Sequence, residues 1–497
     1  MKNMKKIVSV LLTLTILIAC LTAMTVSVSA ASDPDIQANA VLLMENTTGT
    51  ELYAKNSDAR IYPASTTKIM TALLVIEAIE NGTFGENDMV TLSDGIYEGC
   101  EGGSTADLKS GEEISVGDLL RCALIASANE ACNALAENLS GTTGAFVTKM
   151  NAKAAELGCT GTHFANCHGM PDDNHYTTAR DLYYIFREAY SHDLFKTIIK
   201  TGSYTVPATE LSDSRTLTST NRLINSDSTD YNKYCLGGKT GYTDSAGYCL
   251  VSAANDGVMD LTAVVMGCAS VTLEDNTTQV QSFTETNRLY SWGFSSFSYR
   301  TVLSTGDLIG EVPVAMGSGA DSVILRPENS VVIFLDNDID VTKFEKTIHI
   351  TSEENGESLT APIDAGQELG ELHLKYNGKD YGSVKLVAST SVPLSKIEFM
   401  RNQISDTLGT KAVKLIIFLV ILLFVLYAVG VIFYNFYRRK KRRTQRSSPR
   451  RPAVKIGSAP NPGHENFDEI ESAVDNAASS AASKADWNTQ WDQDAWK

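Results

Sequence analysis

The chain has 497 residues, of which 43% are apolar, so it is long enough for roughly two to four globular domains and is neither a small disulfide-stapled peptide nor a disordered chain. Its 59 acidic and 42 basic side chains give a net charge of −17, which argues against nucleic acid as the main partner because phosphate-binding surfaces need an excess of Lys and Arg.

Residues 1–30 are predicted to be a secretory signal peptide. Three lysines precede an apolar run that ends in Val28-Ser29-Ala30, and small residues at these positions suit signal peptidase. Two alternatives stay open at this end of the chain. The first alternative is an uncleaved membrane anchor. The second is a lipoprotein leader, whose processing would leave a lipid on Cys20.

Residues 31–298 have the mixed pattern of an α/β (α+β) domain. Val41 to Met44 reads as a strand, and apolar residues repeat at helical spacing from Ser65 to Asn81, which predicts an amphipathic helix. A second helical pattern from Ser115 to Leu139 is interrupted at Ser127-Ala128-Asn129.

The predicted chemistry begins at Ser65 and Lys68. If a helix starts here, Ser65 lies in its first turn and Lys68, three residues later, lies on the same face. A serine hydroxyl becomes a strong nucleophile when a base takes its proton, and a lysine serves as that base if its surroundings keep the amine neutral. The simpler interpretation is a helix cap beside a solvated surface lysine.

Polar residues also interrupt the apolar helix at Ser127 and Asn129. They suit a cleft wall that supplies a hydroxyl and an amide, although a satisfied buried polar pair would have the same pattern. Further on, Cys159, His163, Cys167, His168 and His175 crowd into a short segment, but their spacing fits no regular zinc pattern. We expect no metal ion and no cofactor.

The triplet Lys-Thr-Gly occurs twice. The copy at Lys200 ends a helical run, and we interpret it as an accidental match. The copy at Lys239-Thr240-Gly241 precedes Tyr242 in a predicted hairpin, where the backbone can pair with an extended ligand and the lysine can meet a carboxylate.

Whether the cysteines form disulfides is a separate question, because an exported domain lies in an oxidising space where such bonds can form. Cys235 and Cys249 flank Tyr242 symmetrically, as a cross-strand disulfide in a hairpin would, and the alternative is that both are free thiols. Cys122 and Cys132 lie in helical apolar patterns that suit small buried side chains.

Three segments follow the mixed domain. Residues 299–390 show short β-type runs between turn signals and are predicted to be a small all-β domain, joined by a linker at 391–412 to one transmembrane helix at 413–437. The cations that follow the apolar span would keep residues 438–497 in the cytoplasm and the domains outside. We expect this tail to be disordered; the alternative is that its tryptophans form a docking peptide.

Taken in order, the three motifs resemble the fingerprint of the penicillin-recognising serine hydrolases: Ser-x-x-Lys, Ser-x-Asn and Lys-Thr-Gly. The surrounding sequences PASTTKIMTALLVIE, SANEACNALAE and GGKTGYTDSAGYCLVSAA narrow the resemblance to the low-molecular-weight penicillin-binding proteins of peptidase family S11, the serine-type D-alanyl-D-alanine carboxypeptidases. The similarity covers about residues 35 to 390. The full membrane span and the long tail depart from the family, whose members more often end in an amphipathic helix at the membrane surface.

The resemblance implies a role for each motif residue. Ser65 would be the nucleophile, Lys68 its base, and Ser127 a proton relay that with Asn129 holds the substrate amide. The substrate-binding residues would be as follows: Asn129, Lys239, Thr240, Gly241 and Tyr242. Lys239 and Thr240 would bind the terminal carboxylate of peptidoglycan peptides that end in D-Ala-D-Ala, and the backbone N–H groups of Ser65 and Tyr242 would form the oxyanion hole. β-Lactams would inhibit by acylating the same serine.

Two other classes of function remain open. The first is a DD-endopeptidase or a β-lactamase on the same fold. The second is a membrane-tethered wall-binding protein without turnover, although a binding module need not keep a nucleophile and its base.

Overall fold

The computed structural model describes residues 33–273 and 278–443. The predicted signal peptide, Cys20 and most of the predicted cytoplasmic tail, with Trp487, Trp491 and Trp496, lie outside the described residues.

The described residues form ten α-helices and eighteen β-strands, which we number in chain order. The helices are α1 Lys68–Glu80, α2 Val116–Leu124, α3 Asn129–Ser140, α4 Thr143–Glu156, α5 Ala179–Ser191, α6 Asp193–Ile199, α7 Gln281–Ser296, α8 Thr351–Glu354, α9 Lys396–Gly409 and α10 Lys411–Arg443. The first eleven strands are β1 Ala40–Glu45, β2 Thr50–Lys55, β3 Met89–Thr91, β4 Glu113–Ser115, β5 Ser203–Val206, β6 Arg215–Thr218, β7 Cys235–Thr243, β8 Gly247–Asn255, β9 Asp260–Cys268, β10 Ser270–Thr272 and β11 Thr278–Val280. The others are β12 Phe297–Leu303, β13 Gly310–Pro313, β14 Ser322–Pro327, β15 Val331–Asp336, β16 Glu345–Ile350, β17 Glu368–Tyr376 and β18 Lys379–Ala388.

An antiparallel sheet in the order β2-β1-β9-β8-β7 organises the first part of the chain. Both of its faces are covered, because alternate residues of one strand enter different cores. In β1, Leu42 packs into the core that contains most of the helices, whereas Val41 and Leu43 pack into the core that contains α7. Burial on both faces fits the apolar run from Ala40 to Met44 in β1, which ends at the buried Glu45. β7 is at the edge of the sheet and therefore has a neighbouring strand on one side only.

Helix α1 lies inside the helical core. Nine of its 13 residues are buried, including Lys68 at its N-terminus. The sequence predicted an amphipathic helix, but the structure has no broad solvent-facing side here, because other helices surround α1 and even small residues such as Ala72 and Ala78 are buried. The expected helix is present, and its environment differs from the prediction.

A β-rich region follows α7. Its main sheet has the order β13-β14-β18-β17-β16, and β12 pairs with β15. A separate hydrophobic core fills it, from Val302 to Val392. Phe297, the first residue of β12, packs edge-to-face against Trp292 of α7 at 5.2 Å between ring centroids and stacks on Phe334 at 5.8 Å. The aromatic cluster therefore joins the β-rich region to the last helix of the preceding domain.

Two helices end the described chain. Helix α9 lies within the segment that the sequence predicted as a linker. In α10, the 29 residues from Lys411 to Arg439 are long and apolar enough to cross a membrane; their most apolar 18-residue window has a mean hydropathy of 3.3 and no buried residues. This length and composition fit the predicted span.

The disulfide possibility at Cys235 and Cys249 is wrong in this structure, where both thiols are free. The hairpin closes between Thr243 and Gly247, so Cys249 lies opposite Gly241 and Cys235 lies opposite Ala254. The symmetric spacing about Tyr242 placed the centre of the hairpin too early. Cys122 and Cys132 are fully buried, as their apolar surroundings predicted.

Candidate active site

Ser65 lies in a short 3₁₀ turn, Ala64–Thr67, immediately before α1. The side chain of Thr66 donates a hydrogen bond to the carbonyl of Pro63 at 2.6 Å, and that of Thr67 donates to the carbonyl of Ala64 at 2.8 Å. Ala64 has a φ of +47°, in the left-handed region that non-glycine residues rarely adopt. The sequence therefore holds the serine in a fixed and strained turn, a feature common at functional sites.

Lys68 points back from the first residue of α1 toward Ser65. Its Nζ lies 2.9 Å from Ser65 Oγ, 2.6 Å from Asn129 Oδ1 and 2.7 Å from the carbonyl oxygen of His168. The side chain is completely buried. Burial lowers the pKa of the Lys68 amine because desolvation disfavours its charged form, while nearby thiols and the carboxylate of Glu130 act in the opposite direction. The arrangement suits a lysine that accepts a proton from Ser65.

A second buried lysine lies on the other side of the site. Lys239 Nζ donates to Ser127 Oγ at 2.9 Å and to the carbonyl oxygen of Thr240 at 3.0 Å. Complete burial lowers its pKa well below the ordinary value, and the charge of Lys68 lowers it further. A negatively charged group that entered the site would therefore stabilise the protonated form of Lys239.

The edge strand β7 runs past the serine. A Cβ on Gly241 would lie 3.0 Å from the backbone nitrogen of Ser65, so the absence of a side chain allows the strand and the serine turn to approach closely. On the same strand, the hydroxyl of Thr240 is 2.5 Å from that of Thr220. Tyr242 is half-exposed, and its ring packs at 4.3 Å from the ring of Tyr248 on β8.

These groups surround one cavity of about 630 Å³. The sequence-predicted residues in its lining are Ser65, Ser127, Asn129, Thr240, Gly241 and Tyr242. Lys68 and Lys239 lie behind this lining, where they contact Ser65 and Ser127 respectively. The structure therefore brings together all of the residues that the three motifs predicted, although they span positions 65 to 242 of the sequence.

Comparison with known proteins identifies the family. A family model described as D-alanyl-D-alanine carboxypeptidase matches residues 27–270, and one described as penicillin-binding protein 5, C-terminal domain, matches residues 297–394. The D-alanyl-D-alanine carboxypeptidase DacF of Bacillus subtilis is 33% identical over 372 residues, which cover 74% of this chain and 90% of that protein. The chain belongs to the D-alanyl-D-alanine carboxypeptidase family. DacA of Escherichia coli K12 is 30% identical over 366 residues, which cover 72% of this carboxypeptidase and 85% of DacA.

Solved structures agree with the sequence relatives. Penicillin-binding protein 5 from Haemophilus influenzae is 30% identical, with a TM-score of 0.53, and the match covers 73% of this chain and 99% of that one. Penicillin-binding protein 6B from Escherichia coli is 26% identical, with a TM-score of 0.54 and coverage of 72% and 98%. The predicted fold class, a penicillin-recognising hydrolase domain followed by a small β domain, is confirmed.

Of the two other motifs, the second Lys-Thr-Gly triplet lies away from these contacts, whereas the segment rich in Cys and His supports the serine turn. Lys200, in the second Lys-Thr-Gly triplet, is exposed just after α6 and does not line the cavity. In the segment rich in Cys and His, His175 Nε2 is 2.7 Å from the hydroxyl of Thr67, and its Nδ1 accepts from the backbone N–H of Ala165. Burial lowers the pKa of His175 to about 4, so its ring is neutral at pH 7 and supports the serine turn.

Several groups of this carboxypeptidase site were not foreseen. The carbonyl of His168 accepts from Lys68, but a backbone acceptor has no sequence signature. Arg222 and Thr220 line the cavity from a segment that the motifs do not include. Glu130 is buried, and its Oε1 accepts from the backbone N–H of Ala106 at 2.6 Å, in the loop whose preceding residues line the cavity. Glu130 directly follows Asn129 of the second motif, and this adjacency was the only sequence signal that pointed to it.

Proposed function

We propose that this carboxypeptidase removes the terminal D-alanine from peptidoglycan stem peptides that end in D-Ala-D-Ala, with Ser65 as the nucleophile. The peptide enters the cavity extended along the free edge of β7, where its backbone pairs with the strand. Its terminal carboxylate meets Lys239 and Thr240, and this contact selects the C-terminal end of the chain as the substrate.

Acylation follows from the contacts of Lys68. The neutral amine takes the proton of Ser65 Oγ, and the oxygen forms a bond to the carbonyl carbon of the penultimate D-alanine. The backbone N–H groups of Ser65 and Tyr242 stabilise the resulting oxyanion, while Asn129 holds the substrate amide. The C–N bond then breaks, and the proton passes through Ser127 to the nitrogen of the departing D-alanine. Water hydrolyses the acyl-serine ester and restores the free hydroxyl.

One observation supports this assignment above the others: Lys68 Nζ lies 2.9 Å from Ser65 Oγ, completely buried, with two further acceptors at 2.6 and 2.7 Å. A neutral lysine amine has two N–H donors and one lone pair. Asn129 Oδ1 and the carbonyl of His168 occupy the donors, so the lone pair is directed to the serine hydroxyl. A binding module without turnover would have no use for this arrangement.

The test uses the full chain in detergent micelles with two reagents, a fluorescent penicillin and a pentapeptide that ends in D-Ala-D-Ala. We expect covalent labelling by the penicillin and release of D-alanine from the peptide, and we expect Ser65→Ala to lose both. Lys239→Ala should lower kcat/KM for the peptide at least 100-fold, since it removes the cation that meets the carboxylate.

Lys200→Ala is the matched control, because it changes the other Lys-Thr-Gly triplet and should leave both activities intact. Undiminished penicillin labelling in Ser65→Ala would overturn the choice of nucleophile. Labelling followed by rapid turnover of the penicillin, without release of D-alanine, would favour a β-lactamase instead.

The proposal extends to topology and domain limits. We infer a signal peptide at 1–30, a catalytic domain at 31–298, a β-rich domain at 299–390, a linker at 391–412 and one membrane span at 413–437. The apolar composition of α10 supports the span. The cations that begin at Arg438 support an orientation with both domains outside the cell and residues 438–497 in the cytoplasm.

A further inference from the structure

Three metal-binding side chains meet on the opposite end of α1 from the catalytic serine. Glu77 lies near the C-terminus of α1, and Glu188 and His192 lie four residues apart at the end of α5. One ligand atom from each lies within 4.8 Å of the other two, and all three residues are partly buried. We propose that Glu77, Glu188 and His192 form a binding site for one divalent transition-metal ion, of which Zn²⁺ fits best.

His192 supplies the first argument. It lies between α5 and α6 with its side chain only 13% exposed, and its Nδ1 is 2.8 Å from Glu80 Oε2. This pairing places the ring proton on Nδ1 and leaves a lone pair on Nε2. Among the described residues, Nε2 is buried and has no hydrogen-bond partner. A carboxylate that orients a histidine through its other nitrogen is the usual support for a metal-binding imidazole.

The charges of the cluster supply the second argument. Within the described parts of the chain, the Glu188 carboxylate has no hydrogen bond or ion pair, although it lies beside the carboxylate of Glu77. Lys153 Nζ contacts Glu77 Oε1 at 2.6 Å, but it is also held by Glu156 at 2.9 Å. One ammonium group thus stands among several carboxylates, and the second oxygen of Glu77 remains available. A divalent cation between Glu77 and Glu188 would offset their repulsion.

The ligand types select the ion. Calcium and magnesium prefer oxygen ligands, whereas imidazole with carboxylates suits zinc and its neighbours in the first transition series. Zinc with three protein ligands and one water is tetrahedral, with bonds of about 2.0–2.2 Å, so its ligand atoms stand about 3.5 Å apart. The ligand atoms, now within 4.8 Å of one another, would move closer by side-chain rotation when the ion binds. The ion would link the end of α1 to the α5–α6 junction, apart from the reaction at Ser65.

The test titrates the metal-free full chain in detergent with Zn²⁺ by calorimetry and with Co²⁺ by visible absorption. We expect one ion per chain with a dissociation constant in the micromolar range or lower, a Co²⁺ spectrum without a thiolate charge-transfer band, and a higher Tm with Zn²⁺. His192→Gln should weaken Zn²⁺ binding at least tenfold, and Glu80→Gln by about tenfold through the loss of its support for the imidazole.

His349→Gln is the matched control, because His349 pairs with Glu354 at 2.9 Å in the β-rich region and should not affect binding. Glu188→Gln guards against misfolding: it should raise the Tm of the metal-free chain by removing a repulsive charge and should reduce the further rise caused by Zn²⁺. Penicillin labelling should be unchanged in every variant. Equal Zn²⁺ affinity in His192→Gln and the unsubstituted chain, a thiolate band with Co²⁺, or no binding at one equivalent would each overturn the proposal.

Discussion

At the scale of single residues, the proposed mechanism gives the two buried lysines opposite tasks. In that mechanism Lys68 has to be neutral before Ser65 can react, whereas Lys239 gains from being protonated once a substrate carboxylate arrives. Burial lowers the pKa of both amines, and the charge of Lys68 lowers the pKa of Lys239 further. The free site therefore disfavours two positive charges, and the arriving carboxylate determines which lysine carries the one that remains.

This argument predicts the pH dependence of acylation. An ordinary lysine has a pKa of about 10.4 and would be almost entirely protonated at pH 7. Because the pKa of Lys68 is lowered, its neutral form persists below that value, and the acylation rate should fall as pH decreases through the lowered pKa. The measurement is the rate constant for labelling by a fluorescent penicillin between pH 5 and 11.

Lys68→Arg serves as the comparison, since a guanidinium stays charged throughout this range. The folded fraction of this variant should lose acylation at least 1,000-fold, without a pH-dependent rise. A wild-type profile whose rate rises only near pH 10 to 11 would contradict a base with a lowered pKa.

At the scale of elements, the serine turn depends on close backbone approaches. Gly169 has a φ of +96°, and a Cβ there would overlap the carbonyl of Ala64 beside the serine. Gly241 also passes close to the backbone nitrogen of Ser65. Two glycines from distant segments thus pack against the 3₁₀ turn, and the position of Ser65 Oγ follows from this packing as well as from its own helix.

Gly169→Ala should therefore damage both stability and acylation. The left-handed backbone costs a non-glycine residue about 1 to 2 kcal/mol, and the overlap with Ala64 adds a cost of about 1 to 3 kcal/mol. Urea unfolding should show that the free energy of unfolding falls by roughly 3 kcal/mol. Penicillin labelling of the folded fraction should slow at least tenfold as the turn shifts.

Gly141→Ala separates the two causes. Gly141 has a φ of +79° but nothing near the position of a Cβ, so this variant has the backbone cost without the overlap. Its free energy of unfolding should fall by only about 1 kcal/mol, and penicillin should label it at the normal rate. Equal effects of the two substitutions would show that the contact with Ala64 is unimportant.

The sequence predicted the site better than it predicted its surroundings. Ser65 and Lys68 are three residues apart, so local helical geometry alone brings them together, and the ordered motifs were sufficient to add Ser127 and Lys239. The turn that contains Ser65 was predicted as the start of a regular helix. Gly169 and Gly241 pack against this turn, but they are remote in sequence and leave no local pattern.

The same limit applies to larger elements. The apolar run in β1 predicted a strand, but burial on both faces became clear only when α7, more than 200 residues later, covered the second face. The hairpin of β7 and β8 was expected. Its turn, however, lies at residues 243–247, whereas the sequence analysis had centred the hairpin on Tyr242. Periodicity indicates an element; long-range packing determines its register and environment.

At the scale of the whole molecule, the net charge of −17 separates into regions with different tasks. Most of the negative charge belongs to the domains between the proposed leader and the apolar helix α10, and cations follow that helix. A cell wall rich in anionic polymers would repel an acidic enzyme at long range. Electrostatic attraction therefore does not keep the catalytic domain near its substrate, and the proposed membrane anchor has to do so.

Deletion of residues 412–497 tests this role of the anchor. The truncated chain should label with soluble penicillin at the rate of the full chain, within about twofold, because the site, the catalytic domain and the β-rich domain all lie before the deletion. Its release of D-alanine from intact wall in cells should fall at least tenfold, since an untethered enzyme loses the effective concentration that a tether provides.

Fusion of the truncated chain to an unrelated single-span anchor should restore this release. Full activity of the untethered chain on intact wall would contradict the need for an anchor. If the activity is lost and raised salt restores it, charge repulsion is the barrier, because salt screens that repulsion.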